Sequence, residues 1–138
     1  MDALLVDSSG MLAALDAGEA AHAQVSALLA RDQRQLLITD YVLAEVGFLV
    51  LRRLGPQAET AMFEQVLDGT FARERVADED LRRALEIGAR YAEHRLGVTD
   101  TTLMALSERL GIHEVLTLDR RHFSVFRDRR GKALRLLP

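Results

Sequence analysis

Apolar residues in this chain fall into two alternating patterns: short unbroken runs, and longer stretches with three- and four-residue spacing. Ala3 to Val6 is the first short run. Asp7 ends it, and Ser8, Ser9 and Gly10 precede a second apolar segment, Met11 to Leu15, so the order reads strand, acid, helix. After the Asp16-Ala17-Gly18 break, Glu19 to Ala30 predicts an alanine-rich helix with Val25, Leu28 and Leu29 on its buried side. Leu36 to Ile38 predicts the next strand. Thr39 or Asp40 can cap a helix from Tyr41 to Leu54 that Gly55 closes, and Pro56 suits the first turn of another helix reaching about Leu67.

Phe71 to Val76 alternates poorly and fits a strand slightly better than a loop. A long helix follows from Asp78 to about His94. Its spacing puts Leu81, Ala84, Leu85, Gly88, Tyr91 and Ala92 on one face, and Arg82, Arg83, Glu86, Arg90 and Glu93 toward water. In the next helix Leu103, Leu106 and Leu110 recur at helical spacing, with Thr99 available as N-cap and Gly111 as the stop. Val115, Leu116 and Leu118 form a run too brief for a helix, which suits a buried parallel strand ending at Asp119. Ala133 to Leu137 offers an edge strand. Short strands alternating with helices predict an α/β fold, a mostly parallel sheet flanked by helices on both faces. There is no repeat, low-complexity segment or linker, so 1–138 reads as a single domain.

Four acids sit in unusual settings. Asp7 and Asp119 each end a predicted strand and Asp100 opens a helix, so all three can project toward one edge of a parallel sheet, where ligands bind in such folds. Glu45 has Tyr41, Val42, Phe48 and Leu49 three and four positions away, so its own helix face is apolar, and burial there calls for a compensating cation. Converging carboxylates repel one another, and a Mg²⁺ or Mn²⁺ ion reverses that cost. The chemistry such a site supports is phosphodiester hydrolysis by a metal-activated water. Taken singly, the acids have simpler explanations: helix caps for Asp7 and Asp100, a turn for Asp119, and a buried arginine partner for Glu45.

Composition narrows the choice of ion. The chain has no cysteine, so disulfides and thiolate metal sites are excluded and a hard cation is the default. The formal net charge of −3 argues against a generic charge-driven nucleic-acid binder. Seven of the eighteen basic residues nevertheless lie between Arg120 and Arg135, next to the acid at 119, which makes phosphate contact an alternative to a merely solvated surface. The start lacks a signal-peptide pattern and no apolar stretch approaches membrane-spanning length, so a soluble, cytoplasmic protein is expected.

Other groups carry less. His22, His94, His113 and His122 are scattered without H-E-x-x-H spacing, which points to surface positions or local hydrogen bonds. Ser8 and Ser9 lack a nucleophile-elbow setting, and capping or support of the acids suits them better. Thr117 shares a strand side with Asp119, so its hydroxyl can support that acid or be purely structural. Ser9 and Thr117 are the hydroxyls expected behind the acids.

The pieces L-L-V-D-S-S, Y-V-L-A-E-V, L-G-V-T-D-T-T-L-M-A-L-S-E-R-L-G and V-L-T-L-D-R-R-H-F, in this order over nearly the full length, resemble the PIN-domain ribonucleases, specifically the VapC toxins of VapBC toxin–antitoxin modules. The resemblance implies a PIN-like fold, with the family's acids at Asp7, Glu45, Asp100 and Asp119. It also implies Mg²⁺- or Mn²⁺-dependent endonucleolytic cleavage of RNA to 5′-phosphate and 3′-hydroxyl ends, a homodimer, and inhibition by a VapB-like antitoxin whose tail covers the active site. The family commonly has threonine where Ser8 stands and alanine where Gly10 and Thr101 stand. A haloacid-dehalogenase-type phosphatase wants an aspartate at the position of Ser9, and a receiver domain wants a lysine near the acid, whereas the sole lysine is Lys132. A catalytically silent PIN-like module binding RNA or protein is the remaining alternative, although none of the four acids is lost.

Overall fold

The structure, a computed structural model, describes residues 2–138. Five strands form one sheet: β1 (Ala3–Val6), β2 (Gln35–Ile38), β3 (Phe71–Arg73), β4 (Glu114–Leu116) and β5 (Arg135–Leu137). Their spatial order is β3-β2-β1-β4-β5 and every pairing is parallel. Seven helices connect the described strands: α1 (Ser8–Leu15), α2 (His22–Arg31), α3 (Asp40–Leu54), α4 (Pro56–Leu67), α5 (Asp78–Arg90), α6 (Val98–Leu110) and α7 (Arg120–Phe123). All four residues of β1 are buried although successive side chains point to opposite faces, so both sides of the sheet are covered at its centre. This is the α/β architecture anticipated from the alternating runs.

The chain runs outward in two directions from β1, toward β2 and β3 on one side and β4 and β5 on the other. Between β1 and β4 lies the switch point where a crevice opens at the carboxyl ends of parallel strands. The Asp7 N–H donates to the Leu116 carbonyl at 3.2 Å, which fixes the two strand ends side by side.

Several boundaries differ from the sequence reading for local physical reasons. The helix expected from Glu19 begins at His22, because the Glu19 and His22 N–H groups are engaged in successive turns with the Asp16 and Glu19 carbonyls. Leu118 lies beyond β4 and is exposed. Thr99 is not an N-cap: α6 starts one residue earlier, capped by Gly97, and Thr99 sits buried within the first turn. Gly111 does close that helix, at φ 68°, a left-handed conformation that glycine adopts without penalty.

The long helix expected to reach His94 stops at Arg90, and a short 3₁₀ turn covers Ala92–His94. Its buried face is also rotated. Asp80, Ala84 and Ile87 face inward, while Leu81 and Leu85 are exposed, Leu85 by 76%. Ion pairs to α6 explain the rotation. Asp80, 2% exposed, takes Arg109 Nε at 2.8 Å, and Arg83, read from sequence as facing water, donates its Nε and Nη2 to Glu108 at 2.6 and 2.9 Å. Turning either acid or arginine of these pairs away would leave its buried partner's charge uncompensated, which is the costly outcome.

Helix α1 packs tightly on β4. A Cβ at Gly10 would fall inside van der Waals contact with the Leu116 carbonyl oxygen and 2.9 Å from its carbon, both backbone atoms that cannot rotate away. Gly10→Ala is therefore expected to destabilise the protein by about 1–3 kcal/mol, the range for overpacking. Urea denaturation measures it, and an unchanged midpoint would show that α1 can lift freely.

Candidate active site

Asp7 follows β1 in extended conformation and caps α1. Its Oδ1 accepts from the Gly10 N–H and the Ser9 hydroxyl, both at 2.8 Å, and its Oδ2 accepts from the Thr117 hydroxyl at 2.6 Å. The residue is 4% exposed. Burial pushes its carboxyl above the usual range and the Asp119 charge adds to this, against the three hydrogen bonds. The capping role that seemed an alternative to a functional one is thus filled by the same side chain, since one oxygen caps while the other faces β4.

Asp119 does not end β4, as the sequence reading has it: the strand stops at Leu116 and Asp119 caps α7, and Thr117 couples it to Asp7. Its hydroxyl donates to Asp7 and accepts the Asp119 N–H at 2.9 Å. Ser9 works in parallel, accepting the Leu118 N–H at 2.9 Å while donating to Asp7. Thr117→Val keeps the shape but removes the donor to Asp7 and leaves the Asp119 N–H unpaired. The expected result is a stability loss of about 1–3 kcal/mol. Thermal melting tests it, and an unchanged midpoint would show that Asp7 needs no such support.

Asp119 caps α7, taking the His122 backbone N–H at 3.0 Å on Oδ1 and His122 Nδ1 at 2.9 Å on Oδ2. Asp100, in the first turn of α6, is half-buried, with its Oδ2 3.5 Å from the same Nδ1. Its carboxyl is pushed up to about 6, first by burial and then by the charges of Asp7 and Asp119, with Glu45 adding and His122 opposing. Thr101 beside it returns its hydroxyl to the Gly97 carbonyl at 3.1 Å.

Glu45 corrects the sequence reading. It was expected to be buried on an apolar face, but it is exposed, because α3 turns Val42, Val46 and Val50 inward and leaves Phe48 58% exposed beside it. Its position is set by hydroxyls. Ser8 donates to Oε1 at 2.6 Å and Thr99 to Oε2 at 2.8 Å, so the first turns of α1 and α6 hold the end of a side chain from α3.

The structure brings Asp100 and Asp119 together with His122, one donor atom of each within 4.8 Å of the others; Asp7 lies outside that set and joins it through Thr117 and its charge, with Ser9 behind and Glu45 at the rim. Missed from sequence were Thr99 as a Glu45 partner and His122 as a contact of two of the acids. The signal for His122 was the Asp119-x-x-His122 spacing, which puts a side chain back over its own helix cap. Among the described residues no arginine or lysine pairs with any of the four acids, and His122 is the one basic side chain that meets them. An oxygen-rich set opposed by a single histidine fits a hard divalent cation. A cavity of about 760 Å³ lies at the opposite end of α6, around Arg83, Glu108, Arg109 and Asp128, but its acids are already paired with neighbouring bases.

The PIN domain family model matches residues 4–128. The chain belongs to the PIN-domain family. Within it the chain stands with the VapC ribonucleases: it is 33% identical to Ribonuclease VapC26 of Mycobacterium tuberculosis over 135 residues, covering 98% of this chain and 100% of that one. Among solved structures, Mycobacterium tuberculosis VapC20, a sarcin–ricin loop cleaving toxin, superposes with a TM-score of 0.78 at 26% identity, over 86% of this PIN chain and 91% of VapC20. A DNA-bound VapBC from Salmonella typhimurium shares the fold, with a TM-score of 0.68 at 17% identity over 99% and 97% of the two chains. Among the described residues no helix is long and apolar enough to cross a membrane.

Proposed function

We propose that this PIN domain, spanning 1–138 as one unit, is the toxin of a VapBC-type module and cleaves RNA at the Asp7, Glu45, Asp100 and Asp119 cluster. The observation that carries the reading is the convergence of Asp100 and Asp119 from α6 and α7, with Asp7 tied to Asp119 through Thr117 and no arginine or lysine paired with any of them. Asp7, Asp100 and Asp119 would hold a Mg²⁺ or Mn²⁺ ion, which when bound would supply Lewis acidity toward a water and the phosphate. Asp7, locked by three donors, presents a fixed carboxylate edge. Glu45, clasped by Ser8 and Thr99 at the exposed rim, is positioned to orient a water or a substrate hydroxyl. Ser9 and Thr117 hold the acids rather than reacting.

Substrate contact draws support from the basic stretch that starts at Arg120 and Arg121, directly after Asp119. The sarcin–ricin loop named for VapC20 is the first RNA to examine. A VapB-like antitoxin and a second copy of the chain belong to the same proposal, as does a cytoplasmic location. Exposed apolar side chains support such partners: Phe48, Leu51 and Phe63 on α3 and α4, and Leu81 and Leu85 on α5. The test is sequencing of RNA 5′-ends from bacteria induced to make the wild-type chain, with Asp100→Asn as control. New 5′-phosphate ends at a defined site in the wild type alone establish the activity. Identical profiles from both, with folding verified, would make the chain a silent binding module.

A further inference from the structure

Building on the proposed metal-dependent site, we infer that His122 is a nitrogen ligand of its cation through Nδ1 and biases the site toward Mn²⁺ over Mg²⁺. His122 is the one basic side chain that touches the acids, and its place is rigidly set. It lies on α7 between the capping Asp119 and Phe123, which is completely buried, so the short helix is pinned at both ends. The i,i+3 spacing brings the ring back over Asp119, and the same nitrogen reaches toward Asp100 on α6.

The separations are those of neighbouring ligands on one ion. Nδ1 lies 2.9 Å from Asp119 Oδ2 and 3.5 Å from Asp100 Oδ2, and one donor atom from each residue falls within 4.8 Å of the other two. In an octahedral site with bonds of about 2.1 Å, adjacent ligand atoms are about 3 Å apart. Nδ1 and Asp119 Oδ2 thus stand at the spacing of adjacent ligands on one cation, with Asp100 Oδ2 wider at 3.5 Å from the same nitrogen. A structural role alone would require only the Asp119 contact; the approach to a second carboxylate from another helix is what the ligand role adds.

The identity of the donor sets the preference. Imidazole nitrogen is a poor partner for Mg²⁺, which takes oxygen ligands and sheds water reluctantly, whereas Mn²⁺, itself chiefly an oxygen-ligand ion and the weakest member of the transition-metal affinity series, still tolerates one nitrogen beside its oxygens. Four carboxylates alone give no such discrimination.

Pulsed electron paramagnetic resonance of Mn²⁺ bound to the full-length chain tests this directly, because a coordinated imidazole imprints a ¹⁴N coupling on the metal. The wild type is expected to show that coupling and His122→Asn to lose it. Asparagine keeps an N–H near Asp119 while removing the imidazole. Calorimetric titration is expected to give Mn²⁺ affinity at least about tenfold lower in His122→Asn, on the scale of ligand-sphere changes, with Mg²⁺ affinity changed by less than about threefold. His122→Gln serves as a second variant, and circular dichroism checks the fold of each. If Mn²⁺ binds the wild type and is lost in Asp100→Asn, but no ¹⁴N coupling appears, the His122 assignment is overturned and the acid site stands. If the wild type binds no Mn²⁺ at all, both fall.

Discussion

Asp100→Asn is expected to lower RNA cleavage by roughly 100-fold or more and, in the metal-free protein, to raise stability at neutral pH. The two effects share one cause. The Asp100 carboxyl is pushed from 3.8 to about 6 by burial and by the charges of Asp7 and Asp119. The folded chain thus holds the Asp100 proton more tightly than the unfolded chain does. That contribution to stability is fully present below about pH 4 and is lost as pH rises through 6, so at pH 7.5 the charged group leaves the folded state disfavoured by an amount on the order of 2–3 kcal/mol. Asparagine is neutral throughout and removes the penalty. Melting in the presence of a chelator should therefore show the variant above wild type at pH 7.5, with the gap narrowing as pH falls through 6 and closing only below about pH 4. Added Mn²⁺ should raise the wild-type midpoint by mass action and leave the variant unmoved. Wild-type cleavage in the variant would remove Asp100 from the site, and a lower metal-free midpoint at pH 7.5 would show that its charge is already balanced.

Arg109→Ala is expected to cost about 2–3 kcal/mol of folding stability, below the range for a fully buried pair because the guanidinium is 32% exposed while Asp80 is buried. Asp80 is 2% exposed and meets Arg109 through two contacts, Nε to Oδ1 at 2.8 Å and Nη2 to Oδ2 at 3.1 Å. With the guanidinium gone, only the Ala77 N–H at 2.9 Å remains to the carboxylate. Against a total stability of about 5–15 kcal/mol typical of such domains, the loss is large. It acts on the site indirectly, because the pair helps dock α5 on α6, the helix that carries Asp100. Urea denaturation of Arg109→Ala, Asp80→Ala and the double variant measures it. The double variant should lose clearly less than the sum of the singles, since no buried charge is left alone. Strict additivity would mean that the two groups do not depend on each other.

The local grammar of the chain carried most of the fold. Runs such as Ala3–Val6 became strands because an uninterrupted apolar stretch that short can be satisfied only between two covered faces. Gly111 ended α6 where it stood, and Pro56 began α4, because both effects depend only on backbone geometry at that residue. The α5 helix shows where this grammar stops. Its leucines looked like the buried stripe, yet the face turned inward carries Asp80 and Ala84, because the choice depended on Arg109 and Glu108, more than twenty residues away.

The acids divide in the same way. Asp7, Asp100 and Asp119 were legible because each sits at the end of a strand or the start of a helix, and parallel strands place such ends on one edge. Glu45 was picked out for burial that it does not have. Its position is set by hydroxyls of Ser8 and Thr99 on two other helices, and helix periodicity describes only a residue's own helix. His122 was passed over among four scattered histidines because its second partner, Asp100, is on another helix and comes near only once α6 and α7 are docked. The sequence by itself determined the parallel α/β frame and which acids stand at its carboxyl edge, since periodicity and capping act within one element. Tertiary structure alone decided the rotation of α5, the exposure of Glu45 and the placing of His122 between two carboxylates, because each is settled by charges and hydroxyls that meet only through space.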